Sequence, residues 1–171
     1  MTHKTTYTMP FRRRRGEKTN YKKRLALLKS GKPRLVVRKT NANFLAQIVK
    51  FMPKGDETVA SANSSELKKF GWNSHKGNLP TAYLVGFACA LKAKKKEVKE
   101  AVLDIGLYTP VHGSRVFAAL KGAVDAGMQI ALDEKVFPKE ERLKGKHISE
   151  KIAQEFEKAK KEIELKIGEA K

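Results

Sequence analysis

Hydrophobic positions first fall into a period at residues 19–30, where Tyr21, Leu25 and Leu28 recur at spacings of four and three. That spacing predicts a helix with one apolar stripe, capped by Thr19 and ended by Gly31 and Pro33. Residues 1–16 show no such period, and Pro10 and Gly16 punctuate them. An irregular arm, ordered only on its partner, is expected there. Residues 34–39 are rich in branched side chains (Leu35, Val36, Val37) and predict a strand. The turn residues 40–43, a second apolar segment at 44–51, the turn Pro53-Lys54-Gly55-Asp56 and a third strand at 58–62 follow. Strands spaced this closely by turns form an antiparallel meander.

Ser64 or Ser65 caps a short expected helix to Phe70, and the polar loop 71–78 leads to a helix resuming after Pro80. That helix carries Leu84, Phe87, Ala88 and Leu91 on one face and ends in Lys92, Lys94, Lys95 and Lys96. Residues 101–107 form a short apolar run of the kind buried in a parallel sheet. Ser114 is placed to cap a helix bearing Phe117, Leu120 and Val124, with Gly127 as its stop. Residues 128–132 are a candidate last strand. The order of elements predicts an α/β chain: a mixed sheet of antiparallel meander plus parallel strands, with helices on its faces. Beyond Phe137-Pro138, Ile148, Ile152, Phe156, Ala159, Ile163 and Ile167 step by 4, 4, 3, 4 and 4, a narrow apolar seam on a long charged helix. Such a seam fits packing along its own domain or docking on RNA or protein. The expected division is a basic arm and first helix at 1–32, an α/β core at 33–132 and a charged helical extension at 133–171.

Charge changes the picture. The 171 residues carry a net charge of +19, and residues 1–39 hold 14 Lys and Arg against the single acid Glu17. A segment this basic, interleaved with Tyr7, Phe11 and Tyr21, points to a polyanion contact rather than to a solvated tail or a nuclear localisation signal. Residues 133–171 are close to neutral, with 11 basic and 10 acidic side chains. The longest apolar run, 82–91, is half the length of a membrane span, and no apolar stretch follows the positive start as a secretory signal would require. The single cysteine, Cys89, precludes an internal disulfide and fits a reducing, cytoplasmic setting; its apolar helical context predicts a buried structural thiol.

The residue types that catalysis needs do not converge. No Gly-Lys-Ser/Thr phosphate loop is present, since Gly31-Lys32 runs into Pro33 and Gly145-Lys146 into His147. The histidines (His3, His75, His112, His147) are scattered, and one cysteine does not complete a zinc spacing. Seven acids lie between residues 40 and 132, of which Asp104 stands at an expected strand end. It reads as a turn or cap partner sooner than as a metal ligand. No enzyme activity, metal, cofactor or small-molecule substrate is expected. An RNA-processing enzyme or factor on a similar sheet is the alternative, and it would need convergent acids and a divalent metal. His112-Gly113-Ser114-Arg115, beyond a parallel strand and at a helix N-terminus, fits either a phosphate site using Arg115 or a plain N-cap with a surface arginine. The loop from Ser74 through His75, Lys76 and Gly77 to Asn78 is either a flexible loop or a close approach to a phosphate backbone.

Arg12 to Gly16, Thr19 to Leu25, and Ser30 to Arg38 closely resemble the archaeal form of the large-subunit ribosomal protein L eighteen family, whose eukaryotic counterpart is ribosomal protein L five. The resemblance continues through Pro53-Lys54-Gly55-Asp56, residues 66–72 and 101–107. It is strongest at 113–127, and it covers roughly 9–148. It implies a three-layer α/β fold, a ribosome-bound cytoplasmic protein, and a basic arm gripping 5S ribosomal RNA. Contacts to large-subunit ribosomal RNA in the central protuberance, beside an L five-type protein, are implied as well. By position, the RNA-contacting residues are Arg12, Arg13, Arg14, Arg15, Lys18, Tyr21, Lys22, Lys23, Arg24, Arg38, Asn41, Asn43, Ser74, His75, Lys76 and Asn78, joined by Arg115 from the helix-terminus reading.

Overall fold

The computed structural model describes residues 8–168, so Tyr7 and His3 lie outside the described residues. β1 (Arg34–Lys39), β2 (Phe44–Lys50) and β3 (Glu57–Asn63) form the expected antiparallel meander, and β4 (Val102–Asp104) pairs in parallel with β1. The resulting mixed sheet has the order β3-β2-β1-β4. Alternation along β1 sorts its side chains. Leu35 and Val37 lie opposite Ile48 and Ala46, which in turn lie opposite Ala60 and Ala62. All six are buried. Arg34, Val36 and Arg38 take the second face, where the parallel register sets Asp104 beside Val36.

α3 (Leu79–Lys94) and α4 (Arg115–Asp125) cover the apolar face. α3 is buried over most of its length, which follows from its nearly continuous apolar composition. It starts one residue before Pro80: the Asn78 side chain accepts from the Thr81 N–H, and a proline in the first turn forfeits no helical hydrogen bond. The two helices touch backbone to backbone. A Cβ on Gly86 would lie 1.9 Å from the Ala119 carbonyl oxygen, and one on Gly122 2.2 Å from that of Tyr83. Cys89, on the side of α3 that faces the sheet, is fully buried, and burial pushes its thiol up to about 12.

α5 (Glu140–Lys144) and α6 (Glu150–Ile163) lead into a π-helical turn, Glu164–Gly168. Phe156, Ala159, Ile163 and Ile167 are buried in the same core, with the Phe156 ring 5.2 Å from that of Tyr83. The seam therefore packs along its own domain. Ile148 stays half-exposed because it precedes Ser149, the residue whose hydroxyl caps α6.

Several expectations differ from the structure, among them the cap of the short helix at 64–70, which is Asn63 rather than Ser64 or Ser65. Residues 128–132 form no strand: Gln129 makes one isolated parallel bridge with Glu100, and a single residue pair builds no ladder. Within the arm, Arg12–Arg15 form one helical turn, α1, because the Phe11 carbonyl accepts from the Arg14 and Arg15 N–H groups. α2 (Tyr21–Leu28) is capped by Asn20 rather than Thr19, whose hydroxyl instead accepts from the Arg13 Nε at 2.8 Å. Its apolar stripe is not buried, and Leu25 is 59% exposed. Ser114 occupies the N-cap of α4, but its side chain makes no capping bond.

The glycine contact yields a stability test. Gly86→Ala and Gly122→Ala should each lower unfolding free energy by about 2–3 kcal/mol, since an overpacked backbone contact must spread. Urea denaturation measures this. Gly168→Ala, with open space around it, should leave the midpoint where it is.

Candidate nucleic-acid interface

On the second face of the sheet, five charged side chains form a chain of ion pairs. The Arg24 guanidinium meets Asp56 with both terminal nitrogens, at 2.9 and 2.8 Å. Arg34 donates to Asp56 at 2.6 Å and to Asp104 at 2.8 Å. Arg38 lies along the far side of Asp104, 3.3 Å from its carboxylate and 2.9 Å from its carbonyl oxygen. Three elements and a turn thus meet: α2, β1, β4 and the β2–β3 connection. Arg34 is 3% exposed and its Nε has no hydrogen-bond partner, so its two carboxylates carry the whole compensation for a buried cation. Hydrogen bonds from Arg24 hold the Asp56 carboxyl below its usual range; burial opposes them and the charges of Arg24 and Arg34 add to them. Gly106, at φ +64°, lets the chain turn under Arg38, because a Cβ there would stand 2.9 Å from the guanidinium carbon. Its N–H donates to Asp104 at 2.8 Å, the turn role expected of that aspartate.

Above this chain of charges opens a cleft of about 750 Å³ between the arm and the sheet, lined by Arg13, Lys18, Lys23, Arg24, Arg34 and Arg38 among others. Tyr21 also lines it, its ring 5.1 Å from that of Phe11, which is 70% exposed. Arg14 and Lys22 line an adjoining hollow with Leu107, while Arg12 and Arg15 project into solvent. Of the arm residues named from the sequence, Arg13, Lys18, Tyr21, Lys23 and Arg24 are thus brought together around one opening, whereas Arg12, Arg14, Arg15 and Lys22 stand outside it.

The remaining candidates gather just past the end of β1. A Cβ on Gly77 would lie 2.2 Å from the Asn41 carbonyl oxygen, so the 40–43 and 74–78 loops touch through their backbones. Arg115 donates to the Gly77 carbonyl at 2.6 Å and to that of Thr40 at 3.3 Å. It works as a strut between loops through one terminal nitrogen of its guanidinium. Asn41 and Asn43 are exposed. Four other side chains are engaged within the protein. Ser74 donates to Glu155 of α6 at 2.8 Å, and the His75 Nδ1 accepts from the Gly77 N–H. Asn78 caps α3, and Arg38 is held by Asp104. Lys76 is half-buried.

Arg34 and Asp56 were not among the candidates read from the sequence. The signal for Arg34 was available: it stands four residues before Arg38, on the same side of a period-two strand. Asp56 gave none, because its partners lie 32 and 22 residues away. Both cleft carboxylates are neutralised by arginines. Among the described residues no group of three or more His, Cys, Asp or Glu is placed to hold a metal ion.

Compared with known protein families, the chain matches the model described as ribosomal large subunit proteins 60S L5, and 50S L18. The match spans residues 5–99 and 92–133, about three quarters of the 171 residues.

Two stability measurements follow from the ion-pair chain. Asp104→Ala should cost about 3–5 kcal/mol by leaving buried Arg34 short of one partner. Because the Asp56 carboxyl titrates lower in the folded chain than in the unfolded one, its contribution is complete above the ordinary carboxylate range and is lost as pH falls through it. Urea midpoints taken from about pH 5 to about pH 3 should therefore fall more steeply for the wild type than for Asp56→Asn.

Proposed function

Since the chain belongs to the family of large-subunit ribosomal proteins 60S L5 and 50S L18, we propose that it binds 5S ribosomal RNA and helps attach it to the large-subunit ribosomal RNA in the central protuberance. As a family member it is a ribosomal protein, part of a ribonucleoprotein that carries out translation. Its role is structural: it folds and docks RNA and performs no chemistry on it. An L five-type protein is its proposed neighbour.

The observation that carries the reading is the convergence of the basic arm with the β1 end of the sheet. Arg13, Lys18 and Lys23 open onto the same cleft as Arg38, and the exposed Asn41 and Asn43 follow directly along the chain. Cations spaced around a groove neutralise successive phosphates, while asparagine amides and Tyr21 offer hydrogen bonds and a stacking face to unpaired bases. Residues 1–39 carry 14 Lys and Arg against one acid while residues 133–171 are close to neutral, so the chain's positive charge is concentrated in the arm and first strand. We assign contact with RNA to residues 12–15, Lys18, Tyr21 to Arg24, Arg38, Asn41, Asn43 and the 74–78 loop, with Arg115 holding the loops. Among the described residues, no helix is long and apolar enough to cross a membrane.

A salt titration of binding to 5S ribosomal RNA, with unrelated structured RNA as competitor, tests this. The full chain should bind in the presence of competitor, with affinity falling steeply as salt rises. Replacing residues 12–15 with glutamine should weaken binding by more than about tenfold and flatten the log–log salt slope by about 3, the counterions of four phosphate contacts. Equal affinity for any RNA would sink the specific site. Magnesium-dependent cleavage of the RNA would favour a processing enzyme instead.

A further inference from the structure

We propose that Asp56, an acid inside a cationic cleft, is a positioning residue for RNA binding: it latches α2, and the basic arm with it, in the orientation that meets the same RNA as β1. The proposal rests on the reading that arm and cleft bind RNA, and deepens it. On electrostatics alone Asp56 works against that function, since a carboxylate beside a phosphate path repels it. Its geometry gives it another task. α2 buries none of its residues, so apolar packing does little to fix its place. What ties it to the body is the two-point contact of Arg24 with Asp56, a planar fork that sets direction as well as distance.

The latch is stiff from behind. Asp56 shares an oxygen with buried Arg34, which is held in turn by Asp104 on β4. A second strut within the arm, Arg13 to Thr19, couples α1 to the start of α2. Fixing α2 at Asp56 therefore fixes where Arg13, Lys18 and Lys23 stand relative to Arg38. An arm ordered before binding avoids losing that freedom when RNA arrives. Once bound, a loose arm would neutralise the same phosphates as a latched one. The signature of positioning is thus lower affinity at every salt concentration with an unchanged salt slope.

The test compares two full-length variants that each remove one negative charge from adjacent residues. Asp56→Asn breaks the latch. Glu57→Gln alters an exposed side chain at the start of β3 for which no ion pair is seen. Asp56→Asn should bind 5S ribosomal RNA about tenfold more weakly than wild type, with parallel salt plots, whereas Glu57→Gln should bind as well as wild type or better. In the RNA-free chain, trypsin should cut between residues 12 and 24 several-fold faster in Asp56→Asn, with Trp72 fluorescence confirming an intact core. Arg24→Leu leaves the Arg34 pair in place and covers the case in which Asp56→Asn does not fold. It should raise arm cleavage likewise, and the double variant should bind no more weakly than the weaker single one. If Asp56→Asn tracks Glu57→Gln in affinity, or if arm cleavage keeps the wild-type rate in Asp56→Asn and Arg24→Leu, the positioning role is overturned while RNA binding stands. A wild-type chain that does not prefer 5S ribosomal RNA over competitor is a separate result, which overturns the assigned RNA and this proposal with it.

Discussion

A cation buried in a protein must be compensated where it lies, and in this chain that cation is Arg34. With 3% of its surface exposed, its guanidinium requires the carboxylates of Asp56 and Asp104. Satisfying it fixes three things at once: the β2–β3 turn that carries Asp56, the parallel seating of β4 through Asp104, and the place where Arg24 brings α2 down. The three arginines outnumber the two carboxylates. The network therefore closes with a net positive charge and remains compatible with a phosphate-bearing partner.

The two faces of the sheet are consequently built on different principles. Against α3 and α4 the sheet's contact is apolar, and the two helices pack on each other so closely at Gly86 and Gly122 that their backbones meet without intervening side chains. Toward the arm the contact is ionic and encloses an open cleft. Close packing makes the first face a rigid base. The second face can then hold a loosely covered helix in one place by directional bonds alone. α6 adds its apolar seam to the core on the α3 side.

Ribosomal proteins of this family work inside a ribonucleoprotein, where position matters more than reactivity. The arrangement suits that demand. Charged groups on the arm are numerous and exposed, while the groups that aim them are few and shielded. Several residues that look like RNA contacts by type, among them Arg24, Arg38, Ser74 and Arg115, make bonds within the protein. Those bonds fix the orientation in which these side chains stand beside Arg13, Lys18, Lys23, Asn41 and Asn43.

Local rules were enough to read the meander, the parallel strand, α3, α4 and the seam of α6. Each has a period or turn chemistry confined to a dozen or so residues, although the seam of α6 left open whether its own domain or a partner would cover it. The concentration of positive charge in residues 1–39 is likewise a property of the chain itself. Tertiary structure alone decided what those charges do. Nothing near Leu25 announces that the α2 stripe stays uncovered, because that depends on the polar face β1 turns toward it. The absent strand at 128–132 depends on the chain leaving the sheet edge after its single bridge at Gln129. Asp56 and Arg24 become partners only when the β2–β3 turn and α2 are folded side by side. An ion pair between distant segments leaves no period in the sequence, and so the cationic arm was legible from its residues while its aim was not.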